Sequence, residues 1–313
     1  MPMQIIIVDD VHPILTNGLR EDNFIVDYLP NASENEILSV IQNYDGIVVR
    51  SKLQLDDKVL SKASKLKWIA RAGSGMDNVD VEFALKNNMI CLNAAEANAD
   101  AVGEHAVGML LTLMHKLNQA DAQVRASIWD REGNRGVEIS NKTIGIVGFG
   151  HTGKSVAKKL SGFGCKILVY DKYLENYGTS YAKQSEMDQI FEECDVVTFH
   201  VPLTKETKWM VDEIYLNQFK KSIYLMNLSR GSVLKTKDLM TCMESGKVLG
   251  AALDVLENEK IGKLTEEEKE WFEYLIHSKR TLLAPHVGGW SKESYQKISE
   301  VLLLKIKELK SKI

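Results

Sequence analysis

The sequence predicts an α/β protein built from two doubly wound, parallel-sheet lobes of the Rossmann and flavodoxin kind. Short β-branched runs alternate with helix-length amphipathic stretches along the whole chain, the pattern of strands joined by crossover helices. The runs fall into two sets with one long helical stretch between them. A length of 313 residues with 44% hydrophobic content suffices for about two ordinary domains.

In chain order, the first strand candidates are Gln4 to Val8, Gly46 to Arg50, Trp68 to Arg71 and Ile90 to Asn93. Asp100 to Gln119 follows, with Val102, Val107, Leu110, Leu111, Met114 and Leu117 near helical spacing, and reads as one long helix leading to the second lobe. The second set is Thr143 to Val147, Lys166 to Asp171, Val196 to His200, Ser222 to Asn227, Leu249 to Val255 and Thr281 to Ala284. These are apolar on both faces, as central parallel strands should be. Asn258 to Glu270 reads as a charged, solvated loop. Lys292 to Leu309 is a helical pattern with no strand left to pair beside it, which predicts a return to the first lobe. The expected organisation is a discontinuous substrate domain, residues 1–96 plus 286–313, and a dinucleotide-binding domain, residues 97–285.

Thirty-nine basic against 43 acidic residues leave a net charge of -4, with no basic stretch to attract nucleic acid. The apolar run Ala106 to Met114 falls short of the roughly 20 residues a bilayer requires, and no basic leader precedes Ile5 to Val8. Cys91, Cys165, Cys194 and Cys242 show neither disulfide-like nor zinc-like spacing. A cytoplasmic protein with no membrane, nucleic-acid or metal partner is expected.

Gly148, Gly150 and Gly153 form G-x-G-x-x-G between the Thr143 to Val147 strand and a helix pattern. The first glycine permits the tight turn, the second lets backbone approach a pyrophosphate, and the third allows helix and strand to pack closely. The next strand ends in Asp171, 18 residues after Gly153, where a carboxylate can accept from ribose hydroxyls. The expected cofactor is NAD; a 2′-phosphate would be repelled there, with the neighbouring Lys172 as the one offset. The same loop also fits G-x-x-x-x-G-K-[ST] through Lys154 and Ser155, a triphosphate-binding pattern. The glycine at the third position and the motifs downstream favour the dinucleotide.

Three further segments each follow a strand candidate: Asn227-Leu-Ser229-Arg230-Gly231, Asp254-Val-Leu-Glu257-Asn-Glu259, and Pro285-His286-Val-Gly288-Gly289. Ligands of open α/β sheets bind beyond such strand ends. With Arg71-Ala-Gly73-Ser74-Gly75-Met-Asp77-Asn78, Asn98-Ala-Asp100, Glu104-His105 and His200-Val201-Pro202-Leu, these segments resemble the D-isomer-specific 2-hydroxyacid dehydrogenases over essentially the whole chain. The resemblance implies two lobes with an active-site cleft between them. It also implies an NAD-dependent oxidoreductase acting on the CH–OH group of a 2-hydroxy acid, and a homodimer.

It further implies that Arg230 clamps the substrate carboxylate and polarises its carbonyl. His286 then exchanges the hydroxyl proton while Glu259 holds its ring. The loop Gly73, Ser74 and Gly75 would cradle the carboxylate with Asn98, while His151, Thr152, His200, Val201, Pro202, Ser229, Asp254, Gly288 and Gly289 would join the glycine loop and Asp171 around the cofactor. Asp77 reads as a loop cap and His105 as packing on the long helix.

Within the family the fullest match is to short D-3-phosphoglycerate dehydrogenases without a regulatory domain, which implies 3-phosphoglycerate, serine biosynthesis, and Arg50, Ser51 and Lys52 as phosphate ligands. Glyoxylate or hydroxypyruvate reductases and D-lactate-type dehydrogenases share these motifs, and NAD-sensing corepressors share the fold as binding modules. Lys260 and Trp290 depart from the usual Glu-Pro and from the small polar residue expected after Gly289; Trp290 is expected to narrow the cleft mouth.

Overall fold

In the computed structural model, which describes residues 2–311, the chain divides into two units, residues 1–98 with 290–313 and residues 99–289. Met1, Lys312 and Ile313, the outer ends of the expected substrate domain, lie outside the described residues.

The first unit holds β1 (Gln4–Ile7), β2 (Ile25–Tyr28), β3 (Gly46–Val49), β4 (Trp68–Arg71) and β5 (Ile90–Leu92). They pair in the order β2-β1-β3-β4-β5, parallel throughout. This is the flavodoxin-like order, with its switch point between β1 and β3. Alternation along each strand builds two cores. Ile5, Ile7, Val48 and Trp68 pack with Leu15 and Leu19 of the Pro13–Glu21 helix and with Leu302 and Ile306 of the Lys292–Lys310 helix, so the C-terminal helix does join this unit. Ile6, Ile47, Val49 and Ile69 face the other way, onto Ile37 and Leu60.

The second unit holds β6 (Thr143–Val147), β7 (Lys166–Tyr170), β8 (Lys183–Gln184), β9 (Val196–Phe199), β10 (Ile223–Asn227), β11 (Val248–Leu253) and β12 (Thr281–Leu283). Their order is β12-β11-β10-β9-β6-β7-β8, again parallel throughout. Read from β8 this is the Rossmann order with one strand added beyond the sixth, and the switch lies between β6 and β9. Ile144, Ile146, Val196 and Met226 pack with Met109 and Leu110 on one face; Val197, Phe199, Leu225 and Leu253 pack with Leu239 and Met243 on the other. Among the described residues no helix is long and apolar enough to cross a membrane.

Three expectations change. The long helix runs only over Ala99–Met114; Lys116 turns left-handed at φ 53° and Leu117–Arg125 starts anew. Most of the expected charged loop is ordered: Ile261–Lys263 forms a 3₁₀ turn and Glu266–His277 a helix. Thr265 and Glu268 close a capping box there and three glutamates sit in the positive first turn. Residues 286–289, expected with the first lobe, cluster with the second unit, because the amides of His286, Val287 and Gly288 are all bonded to Asp254.

Candidate active site

The loops after β6, β7, β9, β10, β11 and β12 carry the second unit's candidate residues. Gly148 adopts φ +94°, and a Cβ there would lie 2.5 Å from the His200 carbonyl oxygen; one at Gly153 would lie 2.1 Å from the Gly148 carbonyl oxygen. Gly150, the N-cap of the His151–Leu160 helix, instead faces open space where a Cβ would stand. Asp171 accepts from Phe149 N at 2.8 Å and from Tyr173 N at 3.0 Å, which ties the end of β7 to the glycine loop. Lys172 is held by Glu206 Oε2 at 2.5 Å, and Tyr173 donates to the same oxygen at 3.2 Å. The His200 imidazole contacts Thr198 Oγ1 at 2.9 Å through Nε2, while Nδ1 is buried and has no partner among the described residues. Burial pushes this imidazole down to about 3, so it is neutral. Val201 packs at the edge of the core and Pro202 is exposed; His151 is exposed and Thr152 half-buried.

After β10, the fully buried Asn227 orders the turn. Its Oδ1 accepts from Ser229 N at 3.1 Å and Oγ at 2.7 Å, and its Nδ2 donates to Arg230 O at 2.9 Å. Arg230 Nη1 donates to Ser229 O at 2.7 Å, so the guanidinium is anchored to its own loop. A Cβ at Gly231 would lie 1.7 Å from Leu256 O, so only glycine lets this loop touch the one after β11.

His286 is the one non-glycine residue of its segment in the left-handed region, at φ 57°; such a conformation costs about 1–3 kcal/mol and persists only where surroundings enforce it. Asp254 enforces it. Its carbonyl accepts from His286 N at 2.7 Å, its Oδ1 from Val287 N at 2.9 Å and its Oδ2 from Gly288 N at 2.8 Å. Burial alone would raise the Asp254 carboxyl, but His105 and the Gly288 and Val287 amides outweigh it and hold it below the usual range. His105 Nε2 lies 3.4 Å from Asp254 Oδ1, in ion-pair range but poorly aligned for a hydrogen bond. His105 therefore does more than pack on its helix, and the sequence offered no signal for this beyond its neighbour Glu104. His286 Nδ1 lies 2.9 Å from Glu259 Oε1 and 3.1 Å from Oε2, both side chains about half exposed. Nε2 is then the ring nitrogen left for a ligand. Gly289 completes the segment.

In the first unit, Ser74 Oγ donates to Asn98 Oδ1 at 2.5 Å and Asn93 Nδ2 to Ser74 O at 2.8 Å, while Gly73 N bonds Arg71 O at 2.8 Å. Gly75 is half-buried and Asp77 exposed. Asp9 Oδ2 pins the next loop through Arg50 N at 2.6 Å and Lys52 N at 3.4 Å. Ser51 is exposed. The guanidinium of Arg50 lies over the Trp290 ring, 3.6 Å from its centroid. Lys52 Nζ donates instead to the carbonyls of Pro30 and Ala32, so the two expected phosphate cations have different surroundings.

Residues 107–288 match the family model described as "D-isomer specific 2-hydroxyacid dehydrogenase, NAD binding domain", more than half of the chain. The chain belongs to the D-isomer specific 2-hydroxyacid dehydrogenases. It is 33% identical over 271 residues to D-3-phosphoglycerate dehydrogenase of Synechocystis sp., covering 86% of this chain and 47% of that protein. It is 31% identical over 310 residues to the D-3-phosphoglycerate dehydrogenase of Methanocaldococcus jannaschii, covering 98% and 57%. The chain thus spans about half the length of these curated relatives. A crystal structure of D-lactate dehydrogenase from Aquifex aeolicus complexed with NAD and lactic acid superposes with a TM-score of 0.86 at 25% identity, covering 98% of this chain and 95% of that one.

The family domain that this chain matches is described as NAD binding, and the chain's own residues fit that cofactor. The open position over Gly150, the helix N-terminus behind it, the carboxylate of Asp171 and the orphaned His200 Nδ1 are features a dinucleotide would complete. The family match over residues 107–288, which includes this loop, takes away the triphosphate-loop alternative; Lys154 is an exposed helix residue and Ser155 Oγ faces Asp100 Oδ1 at 3.4 Å.

Proposed function

We propose that the protein is an NAD-dependent dehydrogenase of D-2-hydroxy acids, with D-3-phosphoglycerate and 3-phosphohydroxypyruvate as its substrate pair. The observation that carries the reaction type is the His286–Glu259 pair at 2.9 Å on a loop clamped by Asp254. With Nδ1–H on the carboxylate, Nε2 takes the hydroxyl proton on oxidation or returns it on reduction. Bound NAD supplies the hydride acceptor or donor. Gly148, Gly150, His151, Thr152, Gly153 and Asp171 are assigned to hold its phosphates and ribose; His200, Val201, Pro202, Ser229, Asp254, Gly288 and Gly289 are assigned to its nicotinamide side. Arg230, whose planar fork binds oxygen pairs, takes the substrate carboxylate and steadies charge developing on the carbonyl oxygen. Gly73, Ser74, Gly75 and Asn98 are assigned to substrate binding. These assignments place residues 1–96 with the C-terminal helix in a substrate domain and the middle of the chain in a cofactor domain.

The phosphorylated substrate is supported by the two curated relatives and by Arg50, whose guanidinium carries no ion pair among the described residues. Ser51 and Lys52 are assigned to help. The engagement of Lys52 with Pro30 and Ala32 favours a second reading, a reductase of unphosphorylated acids such as glyoxylate or pyruvate. Initial rates with NADH on 3-phosphohydroxypyruvate, hydroxypyruvate, glyoxylate and pyruvate separate them; equal efficiency on all four would sink the phosphate reading. No NADH oxidation with any of the acids would indicate a binding protein rather than an enzyme.

A homodimer is part of the proposal. Leu117, Val124, Ile128 and Trp129 are 51%, 54%, 51% and 80% exposed on one stretch, an apolar surface a monomer seldom leaves bare. Sedimentation of the wild type and of Trp129→Lys tests it. The four cysteines, all free thiols, suit a cytoplasmic location.

A further inference from the structure

We infer that Trp290 is a positioning residue for Arg50, and that the indole thereby sets selectivity for phosphorylated over unphosphorylated 2-keto acids; this deepens the phosphate reading above and rests on it. Arg50 follows β3 at the switch point of the first sheet, and its guanidinium lies 3.6 Å from the centroid of the Trp290 ring.

The nearest acids are occupied elsewhere. Asp9 Oδ2 accepts the backbone amides of Arg50 and Lys52. Asp10 accepts from Tyr28 Oη at 3.0 Å and from Tyr295 Oη at 2.8 Å. Burial, then Asp10, pushes the Tyr295 hydroxyl up to about 12, so it stays protonated and keeps donating to that carboxylate. The side-chain N–H groups of Arg50 are therefore left without a protein acceptor among the described residues.

A guanidinium donates in its own plane. An indole on one face removes water from that face and restricts rotation, while the edge with its paired donors stays open. Two oxygens of a phosphate match that edge. Partial burial, which pulls Arg50 below its ordinary value against the opposing charges of Asp9 and Asp10, marks the group as partly desolvated before any ligand binds. The backbone beside the indole is held: Ser291, the next residue, closes the capping box of the Lys292–Lys310 helix with Ser294. Trp290 is 56% exposed, so replacing it opens no core.

The test is the ratio of kcat/KM for 3-phosphohydroxypyruvate to that for glyoxylate, with NADH, in wild type, Trp290→Ser, Trp290→Leu, Trp290→Phe and Arg50→Ala. The ratio should fall roughly five- to thirtyfold in Trp290→Ser, equivalent to about 1–2 kcal/mol, and the loss should lie in KM for the phosphorylated acid. Leucine, which fills space without a π face, should fare no better than serine, whereas phenylalanine should recover most of the ratio. Arg50→Ala should fall at least as far as Trp290→Ser. If Arg50→Ala lowers the ratio but Trp290→Ser does not, or if leucine rescues as well as phenylalanine, the indole has no such role and the phosphate reading stands. If Arg50→Ala leaves the ratio unchanged, the phosphate reading fails and takes the inference with it.

Discussion

His286 and Arg50 each follow a parallel strand, yet the two units hold them in opposite ways. Around His286 nearly every polar group has a protein partner: Asp254 takes three amides, Glu259 takes Nδ1, and Asn227 fixes the Arg230 turn. Around Arg50 the carboxylates are engaged by other donors and the cation rests on a ring. Groups that must hold sub-ångström geometry at a reacting atom are oriented before substrate arrives, because such preorganisation needs no rearrangement at the moment of reaction. A group that selects among substrates needs its donors unspent until the ligand brings acceptors. Changes near His286 should therefore appear in turnover and stability, and changes near Arg50 in KM.

The largest effect expected is on turnover. His286→Ala should lower kcat by about 10²–10⁴-fold while NADH binding, followed by fluorescence, is nearly retained; a loss of only a few-fold would place the proton donor elsewhere. Glu259→Gln should give a smaller loss, because the amide oxygen can still accept from Nδ1 but no longer stabilises the imidazolium. Asp254→Ala should lower the unfolding free energy in urea by about 2–6 kcal/mol, since it orphans two amides at about 1–3 kcal/mol each.

The sign with pH follows from the lowered Asp254 carboxyl. Its contribution is complete above the unfolded carboxyl's titration near pH 4 and is lost as pH falls through the lower folded value. Asp254→Asn should therefore be less stable than wild type at neutral pH and converge with it in acid; a constant gap across that range would assign the clamp to something other than the charge. Asp171→Ala should weaken NADH binding roughly ten- to a hundredfold, the worth of a charge-assisted bond. Smallest is Glu206→Gln, which releases Lys172 from an exposed pair and should improve NADPH binding by no more than about fivefold. No gain would show that Lys172 does not reach the 2′-phosphate.

The sequence was most readable where a chemical requirement and a strand pattern coincide. The glycine loop, the Arg230 segment and the His286 segment all stand at strand ends because their glycines and apolar runs leave little choice. β2 gives a weak signal because IVDY is four residues at a sheet edge with Ile25 46% exposed, and β8 gives none because two residues carry no period. The break at Lys116 needs a lysine to turn left-handed, against its intrinsic preference, so only tertiary context reveals it. Glu266–His277 was hidden by its charge, although its Thr265-x-x-Glu268 cap was there to be read. His105 against Asp254 and Arg50 on Trp290 join residues about 150 and 240 positions apart, pairings that one sequence cannot display.

Gly231 touches Leu256 where any side chain would collide with the carbonyl oxygen. A missing methyl group thus acts as the hinge pin between the loop that carries Arg230 and the loop that leads to Glu259. Alanine at this position would work as a wedge, prising the two loops apart together. A designer reshaping the pocket from either side inherits the other side as well, and the two loops have to be redesigned as one part.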